Sequence, residues 1–387
     1  MLLAWLAGVA SAARTDDGLY RWDLPPGVPA PPVPTDAPMT MARVELGRHL
    51  FYDTRLSGNG TQACSSCHQQ ALAFTNGTAR STGSTGELHP RNAQTLVNVA
   101  YRDTLNWANP TLRTLEAHAL VPLLGTTPVE LGVAGLEADV HARLTADDRY
   151  PRLFATAFPD TAAPVTTDHI AQALAAFQRS IVSFNSPFDR HRLRGDARAM
   201  SDAAERGAAL FFGAARCATC HQGLNFDGGS TTVATPDDEP NVFPFQNTGL
   251  FNLPGPFSYP RDNTGLYEHT GVAADMGRFR VPTLRNIAAT SPYMHDGSMR
   301  TLDEVLDHYV AGGRTDNPHK SPLLLPLTLT TRDRSDLIAF LRSLTDQDVL
   351  RDPRWSNPWR AVPPALFFSP PRSLRPTCRR LEHDVRA

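Results

Sequence analysis

Apolar positions recur at helical spacing in several separated stretches of the chain. In TLDEVLDHYV, residues 301–310, Leu302, Val305, Leu306 and Tyr309 share one face of a predicted helix. Tyr309 closes that aliphatic stripe with a hydroxyl that needs a partner. DHIAQALAAFQRSIVSF carries Ile170, Leu174, Phe177 and Ile181 at the same spacing and predicts a packing helix. Gly-x-x-Leu-Phe occurs twice, as Gly47, Leu50, Phe51 and as Gly207, Leu210, Phe211, each within a predicted helix. A last helix is predicted around Asp333 to Leu344, and Ser186-Pro187 breaks the pattern as a hinge would. Beyond Asp346 the stretch DPRWSNPWRAVPPALFF reads as an irregular strap, in which Trp355 and Trp359 are packing residues or redox exit points.

Composition narrows this picture. A chain of 387 residues has room for two domains, and its 33 prolines favour long ordered loops between modest helices over a large sheet. A formal net charge of -2, with Lys and Arg scattered, gives no electrostatic case for nucleic acid or a membrane surface. The first residues are apolar from Leu2 to Val9 and end in Ala10-Ser11-Ala12. That is the layout of a secretory signal peptide over 1–13, although a basic leading region is missing. The competing reading is a buried N-terminal helix. No later stretch is apolar enough to span a bilayer, so the expected location is the periplasm.

Four of the five cysteines stand in two CxxC pairs, each followed by histidine: Cys64, Cys67, His68 and Cys217, Cys220, His221. CxxCH is the c-type haem attachment pattern. Two thiols form thioethers to the porphyrin, and the histidine reaches the iron from the same side. Paired zinc-binding CxxC motifs lie about 15–20 residues apart, whereas these lie about 150 apart. A redox dithiol would have no use for the same histidine twice. The expected fold is mainly α, with two cytochrome c-like domains at 14–185 and 186–346, each with one covalent haem, and a tail at 347–387. Cys378 is left over as a bystander thiol.

With both motifs placed, the chain resembles the bacterial dihaem cytochrome c peroxidase and MauG superfamily from Met41 to Leu344. HPRNAQTLVNVAY, TPVELG, NTGLY and FRVPTLRNIAATSPYMHDGSMRTLDEV carry the resemblance. It implies a sixth ligand to the second haem fourteen positions after the histidine of HDG, here His295, which is Tyr309. Family peroxidases have methionine there and MauG-like members tyrosine; Met276, Met294 and Met299 are competing candidates. A phenolate, hard and anionic, favours high oxidation states of iron. At the first haem, the position of the peroxidases' switchable histidine falls on Ser84, which implies an open, peroxide-reactive iron. His89 is a nearby alternative ligand.

The resemblance assigns Glu130 as the acid–base group for peroxide cleavage and His118 as its neighbour. Trp107, sixteen positions after the Arg91 of the Arg91-Asn92 pair, falls where the family carries an interhaem hole relay. An interhaem calcium is implied at Asn92 and at the carbonyls of Thr290 and Pro292, with waters completing the shell. The expected function is that of a MauG-like oxidase: hydrogen peroxide drives the haems to a high-valent, bis-ferryl state, which oxidises an aromatic residue of a docked protein by long-range electron transfer. GSTGELHPRN, NWANP and PVELG are most similar to the MbnH type, whose partner is a small copper-associated protein with a tryptophan oxidised to kynurenine. The alternatives are a dihaem peroxidase that detoxifies peroxide with electrons from a small redox protein, and a non-catalytic electron carrier.

Overall fold

The computed structural model describes residues 18–228, 244–255, 258–314 and 316–360. The signal-peptide segment and Cys378 lie outside them. The described chain is helical: α1 (Met41–Phe51), α2 (Cys64–Cys67), α3 (Leu115–Leu124), α4 (Glu137–Thr145), α5 (Arg149–Ala157), α6 (Thr167–Ser180), α7 (Pro187–Arg194), α8 (Asp202–Phe212), α9 (Tyr267–Thr270), α10 (Leu302–Val310) and α11 (Thr331–Ser343). Two residue pairs, β1 (Phe245–Gln246) and β2 (Phe279–Arg280), form an antiparallel ribbon. Short 3-10 turns and long loops connect the rest.

Each half is built on one tight helix crossing, α1 on α6 and α8 on α11. The recurrent glycines explain how close these crossings are. A Cβ on Gly47 would lie 1.9 Å from the Ala173 carbonyl oxygen, and one on Gly207 1.9 Å from that of Asp336. No side chain fits there, so glycine lets the backbones meet. The following phenylalanines then pack alike: the Phe51 and Phe177 rings are 5.0 Å apart at 54°, and the Phe211 and Phe340 rings 4.9 Å apart at 53°. Around these pairs two separate apolar cores close, one per half.

A second repeated element lies in the loops. Thr95 to Asn98 and Thr283 to Asn286 have the same structure: the Thr hydroxyl accepts from the amide two residues on at 3.1 Å, and the Asn is left-handed, at φ 54° and 59°. Asn98 Oδ1 then accepts from the Ser183 amide at 2.7 Å and Asn286 Oδ1 from that of Asp346 at 2.8 Å. These buried amides tie each loop to the chain leaving the half's last helix.

Ser186-Pro187, expected as a hinge, is instead the start of α7. Ser186 caps the helix through Asp189, and both are fully buried. Arg285 from the second half pairs with Asp189 at 2.9 Å. The proline occupies the first helical position, where its missing N–H costs nothing. The strap over the first half runs through Trp355, whose indole donates to Ser180 Oγ at 3.2 Å, and Trp359, whose indole donates to the His49 carbonyl at 3.0 Å. Among the described residues no helix is long and apolar enough to cross a membrane.

Candidate haem sites

The two CxxCH segments fold as single turns. His68 N–H donates to the Cys64 carbonyl at 3.0 Å and His221 N–H to the Cys217 carbonyl at 2.9 Å. The four cysteines form no disulfide. Burial raises all four thiol pKa values, to about 12 for Cys64 and about 11 for Cys217. Such thiols are poor redox nucleophiles, which sets the sites apart from dithiol exchange centres.

Each histidine is oriented in the same way. His68 Nδ1 lies 2.8 Å from the Phe74 carbonyl, and His221 Nδ1 lies 2.9 Å from the Phe226 carbonyl. A carbonyl only accepts, so Nδ1 carries the proton and Nε2 keeps its lone pair for a metal. Both phenylalanines are left-handed, at φ 61° and 55°, which turns their carbonyls toward the rings. Burial lowers both imidazole pKa values and keeps the rings neutral. This donor set fits two covalently attached haems: paired thiols, then an imidazole whose Nδ1–H is held by a backbone carbonyl.

Around the second motif lies a cavity of about 250 Å³. Its apolar wall includes Phe211, Leu284, Leu302, Leu306 and Leu341, and Cys217, Cys220, His221 and Tyr309 all line it. α10 presents Tyr309 there because Leu302 and Leu306 bury the same face, and Thr301 with Glu304 caps its start. Burial, then the nearby Cys220 and Cys217 thiols, raise the Tyr309 pKa, so its hydroxyl stays protonated until a cation offsets that cost.

The rival ligands are placed differently. Met276 packs beside Trp107, and Met299 packs on the second core. Met294 lines the Tyr309 cavity with its backbone left-handed, at φ 71°. His295 also lines it, and its Nε2 is buried without a partner. Arg91 Nε donates to Asn263 Oδ1 at 2.8 Å, which turns the Asn263 amide nitrogen toward His295 Nδ1 at 3.2 Å. Nδ1 therefore accepts, and the proton sits on Nε2, which faces the cavity without a partner among the described residues.

The first site has a polar crevice instead. Glu130 Oε1 lies 3.1 Å from His89 Nε2. Its segment is clamped by Gly83, where a Cβ would lie 1.8 Å from the Val129 carbonyl oxygen, and by the Ser84 amide, which donates to the Glu130 carbonyl at 2.7 Å. Burial pushes the Glu130 carboxyl up, but the close contact with His89 opposes it, leaving a net lowered pKa. Burial pushes His118, on α3, down to about 4, so it is neutral near pH 7. His89 is thus placed as the partner of Glu130, a pairing not legible in HPRN because 41 residues separate the two.

Trp107 is buried, lines the second cavity, and donates its indole N–H to the Asn92 carbonyl at 2.9 Å. Asn92, Thr290 and Pro292 line that cavity too. The Asn92 amide nitrogen donates to the Thr78 carbonyl at 2.8 Å. Among the described residues no cluster of three or more His, Cys, Asp or Glu side chains is placed to hold a metal ion.

Comparison with known proteins agrees with this geometry. Residues 41–198 match the family model described as di-haem cytochrome c peroxidase, and residues 204–345 match cytochrome c. The chain is 38% identical to cytochrome-c peroxidase IdrP1 of Denitromonas iodatirespirans, with 90% of this chain and 94% of the relative covered. It is 36% identical to methylamine utilization protein MauG of Methylorubrum extorquens, over 81% of each. A crystal structure of a MauG-like protein associated with microbial copper homeostasis superposes with a TM-score of 0.83 at 45% identity, covering 88% of this chain and 100% of that one. Two cytochrome c-like halves, each with its own attachment turn and oriented histidine, make this chain a member of the dihaem cytochrome c peroxidase and MauG family, a haem-dependent oxidoreductase.

Proposed function

We propose that the protein is an exported, peroxide-dependent oxidase that modifies a separate protein, withdrawing electrons from one of its aromatic side chains, a tryptophan converted to kynurenine. The observation that carries this reading is Tyr309 in the cavity of Cys217, Cys220 and His221. A hard oxygen donor in the cavity of His221 would suit stored oxidising equivalents on a bound haem, whereas a thioether would suit electron entry. When attached, the two haems supply peroxide binding and oxidant storage.

The chain's own groups then have defined tasks. The thiols of Cys64, Cys67, Cys217 and Cys220 hold the porphyrins, and His68 and His221 offer Nε2 to iron. Glu130, ionised and steadied by His89, takes the proton from the near oxygen of peroxide and returns it to the departing oxygen. Neutral His118 supports that crevice as a hydrogen-bonding neighbour. Trp107 supplies an oxidisable indole beside the second cavity, with its N–H held by Asn92. Asn92 Oδ1 and the Thr290 and Pro292 carbonyls are the proposed calcium ligands, with water completing the shell. The relation to a MauG-like protein associated with copper homeostasis supports a small copper-binding periplasmic protein as the partner.

The second reading, peroxide detoxification with electrons from a small redox protein, is favoured by the peroxidase names of relatives at 38% identity. Electron paramagnetic resonance of the diferric protein separates the two. One high-spin and one low-spin centre are expected, with peroxide-driven conversion of tryptophan in a co-expressed partner seen by mass spectrometry. Tyr309→Phe should abolish that conversion. Two low-spin centres that ignore peroxide, or full conversion by the variant, would refute the reading.

A further inference from the structure

Arg102 and Arg280 come from opposite halves of the chain, yet both line the cavity of Cys217, Cys220 and His221. They are 7% and 4% exposed. Part of each guanidinium is already engaged. Arg102 Nη1 donates to the Thr95 carbonyl at 3.3 Å, Arg280 Nη1 to the Val281 carbonyl at 2.9 Å, and Arg280 Nη2 to Gln94 Oε1. The Nε–H of both is buried without a hydrogen-bond partner. One carboxylate stands near, Asp227, with Oδ2 3.6 Å from Arg102 Nε. The neighbouring Arg285 is committed to Asp189 at 2.9 Å.

Among the described residues, two buried cations therefore share one carboxylate. A buried charge is stable only when paired and hydrogen-bonded. Burial, followed by repulsion from Arg102, pushes Arg280 down to about 9, against the pull of Asp227. Among the described residues the site lacks one negative charge with acceptor oxygens, and a porphyrin attached at Cys217 and Cys220 would bring carboxylates of that kind on its edge. Planar guanidiniums match carboxylates well.

We propose that Arg102 and Arg280, one from each half, jointly bind a haem propionate, with Asp227 balancing the second positive charge. The clamp ties both halves to one porphyrin edge and fixes the local charge felt by its iron. It rests on haem attachment alone and holds whether the enzyme modifies a protein or only reduces peroxide.

The test uses the holoprotein with both haems attached, checked by intact mass. Arg102→Gln and Arg280→Gln are compared with the parent by spectroelectrochemical titration and by the propionate bending bands in resonance Raman spectra. Each variant should lower the midpoint of the same haem, because an uncompensated propionate stabilises ferric iron, and should shift that haem's propionate band. Arg280→Lys keeps the charge and guards against misfolding; it should retain most of the midpoint while still shifting the band. Unchanged midpoints and bands would overturn the proposal. So would effects of Arg102→Gln and Arg280→Gln on different haems.

Discussion

The two halves share a skeleton and differ in the side chains they gather around the attachment motif. Glycine-mediated crossings, attachment turns, left-handed phenylalanines that hold His68 and His221, and the Thr-x-x-Asn loops are superposable in kind. Against this common frame, the first half places the Glu130, His89 and His118 crevice and the second an apolar wall ending in Tyr309. A duplicated scaffold thus fixes where each porphyrin sits, and a few side chains from other segments divide the labour. In the proposed function, one side would handle protons and the other would tune the iron.

The largest expected effect concerns the side of the comparison that has no counterpart. Glu130→Gln removes the carboxylate paired with His89, and peroxide-dependent turnover should fall by roughly 10²–10⁴-fold. Stopped-flow mixing of the diferric protein with peroxide measures this; a drop below tenfold would mean that the crevice is not the proton site. The next test bears on the shared skeleton. Gly47→Ala and Gly207→Ala should each destabilise the holoprotein by about 1–3 kcal/mol, through the forced separation of the crossing helices. Denaturant unfolding should give similar values for both, and a loss confined to one would show that the halves are not equivalently packed.

The smallest effect refines the polar crevice. His89 holds the Glu130 carboxyl below its ordinary value against burial, so the base is ionised at lower pH than a buried carboxyl otherwise would be. His89→Gln leaves burial unopposed by that bond. The folded pKa rises, and the acid limb of the peroxide-reaction profile should move to higher pH. The same linkage acts on stability: the depressed carboxyl contributes above its unfolded pKa and loses that contribution as pH falls through the folded pKa. The variant should therefore differ in stability most near neutrality and least in acid. An acid limb that does not move would detach His89 from Glu130.

Much of the skeleton was legible in the chain because its signals are local. The CxxCH motifs, the apolar faces of α6 and α10, and the Gly-x-x-Leu-Phe pairs all sit within one or two turns of helix. The Ser186-Pro187 expectation failed because a proline marks the first turn of a helix as readily as a hinge, and only the partner, Arg285, distinguishes them. The candidate crevice was legible one residue at a time, through family resemblance, but the His89–Glu130 contact was not.

The sequence by itself determined two CxxCH haem-attachment motifs, mainly helical halves and a tyrosine fourteen positions after the histidine of HDG. Only the tertiary structure decided the histidine tautomers, the His89–Glu130 contact and the placing of Arg102 and Arg280 on one cavity. The physical reason is range. Attachment chemistry needs residues within one turn, whereas tautomers and buried charge pairs depend on carbonyls, amides and side chains that folding gathers from distant segments.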